Sequence, residues 1–250
     1  MGLFFASWRP VPQTVGIIGL GKLGSALGLR LKERGYRVVG SVKTSRSLER
    51  ALKLGLEAHL DNALVVEKSD VVLLSVKPHN VAEISIRTNK PVVSFVAGIP
   101  LARISGLSAR PFRAMTNIGL TAIAVAGEYD KEVDALLRSL SPAVIWVEEK
   151  LLDPLTVVLG SGPALVARLL RAYIEAAVNV GVPWDLAREI AASLFSTAPQ
   201  LAARLGHEGV VEMVATPGGT TIKALIKMAG LEGLLATAVE EAVARLVPKS

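Results

Sequence analysis

Val15-Gly16-Ile17-Ile18-Gly19-Leu20-Gly21-Lys22-Leu23-Gly24 is a short apolar strand running straight into Gly-x-Gly-x-x-Gly, and Ser25-Ala26-Leu27-Gly28-Leu29-Arg30-Leu31 continues it as a helix. The three glycines have separate tasks. Gly19 permits the tight turn out of the strand, Gly21 leaves room for a pyrophosphate against the backbone, and Gly24 lets the helix pack close to the sheet. The free N–H groups and positive dipole end of that helix then face the phosphates. Among 22 glycines the triplet alone is a weak signal, and a glycine-rich structural turn would contain it too. Its place between a strand and a helix favours a dinucleotide site.

Outward from this stretch, the first half alternates strands with helices. A helix over Lys22–Arg34 ends at Gly35, and Arg37–Ser41 reads as a second strand. Leu48–Leu54 is a helix stopped by Gly55; Asp70–Val76 and Pro91–Val96 are strands, the first apolar throughout. Arg113–Met115, Ala122–Val125 and Ala143–Val147 are shorter candidates. The alternation predicts a parallel, doubly wound α/β sheet over residues 1–150. Beyond residue 150 the strand rhythm stops. Helices are expected over Gly162–Val180, over Leu186–Leu205 with a bend at Pro199, and over Glu208–Val214, Thr221–Ala229 and Leu231–Val247. Residues 151–250 therefore read as an all-helical domain whose apolar faces exceed what about 100 residues hide alone. Helices from a second subunit would cover them; one compact bundle is the alternative.

Composition removes whole classes of chemistry. The chain has no cysteine, which excludes disulfides, Cys-ligated zinc, iron–sulfur clusters and thiol nucleophiles. Its histidines, His59, His79 and His207, lack metal-ligand spacing, so no metal site is expected. The +6 net charge comes from scattered Lys and Arg without interleaved aromatics, so nucleic acid is not indicated. That balance suits anionic small ligands instead. No uncharged apolar run reaches the ~18 residues of a membrane span. Met1–Trp8 lacks a basic segment and is read as an extension or extra strand rather than a signal peptide. A cytoplasmic location is the expectation.

The end of the second strand chooses between cofactors. An acidic residue there would bind the ribose 2′-hydroxyl of NAD, whereas basic residues accommodate a 2′-phosphate. Here Ser41 is followed by Lys43, Thr44 and Arg46, with no acid before Glu49, which favours NADPH while leaving NADH possible. A solvated polar turn has the same composition. Lys77 follows the third strand and so faces the ligand crevice. Asp61-Asn62 suits a helix cap and lies where a loop reaches the adenosine half. In the helical half, Ala215-Thr216-Pro217-Gly218-Gly219-Thr220-Thr221-Ile222-Lys223 places a turn before a helix start. The N–H groups of Gly219, Thr220 and Thr221 are expected to face outward toward a carboxylate, with the Thr221 hydroxyl supplying one more directed bond. As pure structure the same segment is a capped helix.

From about Thr14 onward the chain resembles the pyrroline-5-carboxylate reductase family. The likeness rests on Gly19–Gly24, Asp61-Asn62, Asp70–Pro78, Ser94-Phe95-Val96-Ala97-Gly98-Ile99, Gly160-Ser161-Gly162-Pro163-Ala164 and Thr216–Thr221. It implies an N-terminal Rossmann domain, a helical dimerisation domain that interlocks two subunits, and in many members a ring of dimers. It also implies NADPH-dependent reduction of 1-pyrroline-5-carboxylate to L-proline, the last step of proline biosynthesis. Cofactor contacts are implied at Leu20, Lys22, Leu23, Asn62, Val76, Lys77, Pro78, Ala97, Gly98 and Asn117. Substrate contacts are implied at Gly219, Thr220 and Thr221, with Thr221 bonding the ring nitrogen. The family's Met-Pro-Asn-Thr-Pro loop departs here to Met115-Thr116-Asn117-Ile118-Gly119, losing both prolines.

Two other functions compete. A hydroxyacid dehydrogenase of the 6-phosphogluconate type would want a catalytic Lys on the long helix, but Gly162–Val180 offers only Arg168 and Arg171. A non-catalytic nucleotide-binding protein of the same fold is the other.

Overall fold

The computed structural model describes residues 13–246; Met1–Trp8 and Val247 lie outside that range. Its strands are β1 (Thr14–Ile18), β2 (Arg37–Ser41), β3 (Glu57–His59), β4 (Val71–Leu74), β5 (Thr88–Ser94), β6 (Ser108–Thr116), β7 (Ile123–Ala126) and β8 (Val144–Trp146). They form one sheet in the order β3-β2-β1-β4-β5-β6-β7-β8. β1 pairs in parallel with both β2 and β4. The strand order therefore reverses at β1 and β4, which opens a crevice at their carboxyl ends.

Helices α1 (Lys22–Glu33), α2 (Ser45–Lys53), α3 (Asn62–Lys68), α4 (Leu101–Ile104) and α5 (Lys131–Leu140) connect these strands. A 3-10 turn, Pro78–Glu83, takes the place of a helix after β4. Strand side chains alternate between faces. Val15 and Ile17 of β1 and Leu73 of β4 pack with Leu27 and Leu31 of α1 and Leu136 and Leu137 of α5. Ile18, Val72 and Leu74 point the other way, toward Val65 of α3 and Ile104 of α4. Each such fully buried side chain contributes roughly 1.5–3 kcal/mol. Arg113 of β6 is buried, paired with Asp153 and, at 3.6 Å, with Glu149.

The sheet is the expected parallel, doubly wound one, with a single antiparallel pair. β6 and β7 are antiparallel, and β7 then pairs in parallel with β8. Only Asn117–Ala122 joins β6 to β7, which is too short for the dozen or more residues of a parallel crossover.

After β8 the chain turns through Glu149–Leu151, α6 (Leu152–Leu155) and a π-helical turn, Thr156–Ser161. α7 (Gly162–Asn179), α8 (Trp184–Val214), α9 (Thr220–Lys227) and α10 (Leu231–Leu246) follow. Two compact units result among the described residues. One runs to Ser161 and takes in the chain from Val243; the other is Gly162–Ala242. In α8 the residue with non-helical dihedrals is Gly206 (φ 75°, ψ 166°), while Pro199 stays within helical geometry. The break therefore falls at the glycine, which tolerates positive φ, between the helices expected over Leu186–Leu205 and Glu208–Val214, and the bend expected at Pro199 is not marked by non-helical dihedrals. The helical stretch Glu149–Asn179 is long and apolar enough to cross a membrane by length and composition, although Arg168 and Arg171 interrupt it.

Candidate functional site

The glycine loop is set by three backbone devices. Gly19 turns out of β1 at φ +99°, and a Cβ there would lie 2.7 Å from the Ser75 carbonyl oxygen. The N–H groups of Gly19 and Leu20 both donate to the Ser41 carbonyl, at 3.1 and 3.0 Å, which ties the loop to the end of β2. A Cβ on Gly24 would come within 2.1 Å of the Gly19 carbonyl oxygen, so only glycine lets α1 start this close to the sheet. A Cβ on Gly21 would meet nothing within 4 Å. That open approach is what a pyrophosphate needs, and the residues present fit the group. Lys22 and Leu23 open α1, and their N–H groups have no earlier helical carbonyl to bond. Gly21 caps the helix without a side-chain bond.

A cleft of about 590 Å³ opens at this loop, within the size range of cofactor sites. Gly19, Leu20 and Gly21 line one side and Ser41, Lys43 and Asn62 another. Val76 and Lys77 close it at the end of β4. The Ser41 hydroxyl donates to the Asn62 side-chain oxygen at 2.6 Å, joining the end of β2 to the start of α3. Asp61 caps α3 by accepting the Ala63 N–H at 2.8 Å.

Other expected cofactor residues stand elsewhere. Lys22, Leu23 and Gly24 belong to the helix start, and Pro78 to the first turn after Lys77. Thr44 caps α2, its hydroxyl accepting the Ser47 N–H at 3.2 Å. Arg46 does not line the cleft; it borders a separate concavity with Glu49 and Lys53. Ala97 and Gly98 follow β5 and do not line the cleft, and neither does Asn117.

The Asn117 amide instead braces its own loop, donating to the Thr121 hydroxyl at 2.7 Å and accepting the Thr121 N–H at 3.4 Å. Thr116 donates to the Ala122 carbonyl at 2.7 Å. These side-chain bonds hold the β6–β7 turn in the absence of the two prolines. Leu120 in that turn takes a positive φ of 53°.

The cleft also contains groups that sequence reasoning missed. Arg50 reaches from α2 to the glycine loop, its guanidinium donating to the Leu20 carbonyl at 3.2 Å. It lies one helical turn beyond Ser47, which also lines the cleft, and that spacing was the available signal. His79 and Asn80 enter from the 3-10 turn directly after Lys77-Pro78. Glu83 enters from the same turn and pairs with Lys43 at 2.7 Å. Nothing in the linear sequence marks that contact.

In the helical unit, Gly218 turns the chain at φ +71° and α9 begins after Gly219. The expectation of three outward N–H groups is corrected in one place. The Gly219 N–H donates to the Thr216 carbonyl at 2.9 Å, closing the turn. The first donors without an earlier helical carbonyl are therefore those of Thr220, Thr221 and Ile222. No side chain caps this helix. The Thr221 hydroxyl donates to the Val214 carbonyl at 3.3 Å, so its lone pairs are left to accept. Among the described residues no group of three His, Asp or Glu side chains is placed to hold a metal ion.

Comparison with known proteins covers both units. Residues 149–247 match the family model for pyrroline-5-carboxylate reductase dimerisation. Residues 14–98 match the model described as NADP oxidoreductase, coenzyme F420-dependent. The chain is 31% identical over 260 residues to a pyrroline-5-carboxylate reductase of Methanosarcina acetivorans, covering 93% of this chain and 96% of the relative. A solved 1-pyrroline-5-carboxylate reductase from Streptococcus pyogenes superposes with TM-score 0.85 at 25% identity, covering 93% of this chain and 97% of that one. A Plasmodium falciparum pyrroline carboxylate reductase solved with NADP bound shares the fold, with TM-score 0.77 at 17% identity over 94% of this chain and 95% of that one.

Proposed function

This chain belongs to the pyrroline-5-carboxylate reductase family, and from that premise we propose that it reduces 1-pyrroline-5-carboxylate to L-proline at the expense of NAD(P)H. The observation that carries this reading is the glycine-lined cleft at the carboxyl ends of β1 and β4, in a chain matched to the reductases over nearly its whole length. A nicotinamide bound there supplies the hydride for the carbon of the cyclic C=N bond. The open face at Gly21 and the N–H groups of Lys22 and Leu23 receive the pyrophosphate. NADPH is the preferred form in this reading, because Lys43 and Arg50 both line the cleft.

The substrate carboxylate is held by the N–H groups that open α9, those of Thr220, Thr221 and Ile222. The role of Gly219 is then to close the turn that presents them. Thr221 accepts a hydrogen bond from the ring nitrogen of the protonated imine, since its own proton is directed to Val214. No strong protein acid is required when the imine binds protonated. What remains for the chain is to hold the reacting carbon at ~3–3.5 Å from the hydride donor and to stabilise charge with fixed dipoles.

The functional division is placed near residue 150, with residues 1–150 binding the dinucleotide and 151–250 carrying substrate and dimer contacts. The family model for residues 149–247 supports association of copies. A ring of such dimers, a cytoplasmic location and a chain free of the membrane complete the proposal. The test is product identification: proline should appear in step with NADPH oxidised. A chain that binds the dinucleotide yet forms no proline would be the non-catalytic alternative.

A further inference from the structure

We propose that Glu83 supplies the ribose-binding acid that the end of β2 lacks, so that the adenosine end of the cleft reads both NADH and NADPH. This rests on the cofactor reading above and goes beyond it, to the residue that sets selectivity. In dinucleotide sites an acid at the end of the second strand accepts the ribose 2′-hydroxyl, and its replacement by cations admits a 2′-phosphate. Residues 41–48 contain no acid. The fold nevertheless brings one there from the opposite wall. Glu83, at the end of the 3-10 turn after β4, holds its Oε2 2.7 Å from the Nζ of Lys43, two residues past β2. Both side chains line the cleft.

The pair is exposed, at 69% for Lys43 and 58% for Glu83, so it is weak and readily exchanged for a ligand. A ribose 2′-hydroxyl can donate to the Glu83 carboxylate while Lys43 keeps its partner. A 2′-phosphate, with its second negative charge, draws Lys43 away and meets Glu83 as a repelling neighbour. Arg50 then remains for the phosphate: among the described residues it is paired with no carboxylate, and it is anchored on the Leu20 carbonyl. Glu83 thus favours the unphosphorylated ribose and opposes the phosphorylated one, and Lys43 does the reverse. Selectivity is the difference between these two terms.

The test is calorimetric titration of the full-length wild type, Glu83→Gln and Lys43→Gln with 2′,5′-ADP and with 5′-AMP, which differ only at the 2′ position. Glu83→Gln should tighten 2′,5′-ADP and weaken 5′-AMP, each by about two- to fivefold, the scale of an exposed charge pair. Lys43→Gln should shift the preference toward 5′-AMP. A rise in the preference of Glu83→Gln for 2′,5′-ADP supports the proposal. An unchanged or reduced preference overturns it, including the case in which both ligands weaken together because the turn has lost support. The enzymatic reading fails separately, if wild-type protein that binds both nucleotides makes no proline.

Discussion

The two units of this chain solve burial differently. In the sheet unit, both faces of β1 and β4 are sealed, and side chains such as Ile17, Leu31, Leu73 and Leu137 are fully buried. In Gly162–Ala242 only Ile174, Ala187 and Ala191 are buried, while Val180, Ile226 and Leu234 stand 81%, 66% and 68% exposed. Exposed apolar surface on this scale marks an interaction face. The family model matched by residues 149–247 is that of dimerisation, so a second copy is the natural cover. The sheet unit has its core within one chain, whereas the helical unit leaves most of its apolar side chains uncovered within it.

Charging the two units should break that symmetry most visibly. Leu194→Glu with Leu234→Glu should abolish the dimer and lower activity more than tenfold, because an unpaired carboxylate buried in an interface costs about 3–5 kcal/mol. Leu52→Glu, on the comparably exposed outer face of α2, should change neither mass nor rate. Light scattering with a parallel rate assay checks both. Truncation sharpens the contrast. Leu137→Ala should lose about 2–5 kcal/mol in denaturant melts at every protein concentration. The loss for Leu194→Ala should instead vary with concentration, as expected when unfolding is coupled to dissociation.

Smaller effects divide the chemistry between the units. Thr221→Ala should lower turnover about five- to a hundredfold, the loss of one oriented hydrogen bond, with dinucleotide affinity nearly unchanged. Thr221→Ser should retain more of the rate. If Thr221 only supported the start of α9, melting temperature would fall in the Ala variant and turnover of the folded enzyme would not.

Least in size is the acid response of the sheet unit. Burial raises the pKa of Asp130, but the Arg110 guanidinium and the N–H groups of Val133 and Glu132 outweigh it, and the net shift is downward. With the folded value below the unfolded one, the stabilisation is complete above the ordinary carboxylate range and is lost as pH falls through the lowered value. Asp130→Asn should therefore flatten the acid limb of stability against pH, read from urea melts.

The sheet unit was legible where its determinants are local. The turn at Gly19, the helix stops at Gly35 and Gly55, and the Asp61 cap are each specified within a few residues. β3 escaped notice because three residues carry no periodicity. The antiparallel β6–β7 pair was within reach of the sequence, because Arg113–Met115 and Ala122–Val125 were both read as strands and the residues between them are too few for a parallel crossover. The break at Gly206 was legible as the gap between the helices read over Leu186–Leu205 and Glu208–Val214, because only glycine readily takes φ 75° there. At the site, the glycine loop and the place of Lys77 after β4 were readable as motif and strand end. The Lys43–Glu83 contact spans 40 residues and depends on the fold closing around the cleft. The contact of Arg50 with the Leu20 carbonyl spans 30 residues and likewise depends on the fold.

The most direct test of the whole account is a dilution series in which molecular mass and 1-pyrroline-5-carboxylate-dependent NADPH oxidation are measured on the same samples. The account predicts that the smallest active species is a dimer, and that specific activity falls in step with dissociation. A monodisperse monomer that forms proline at the undiluted rate would contradict it.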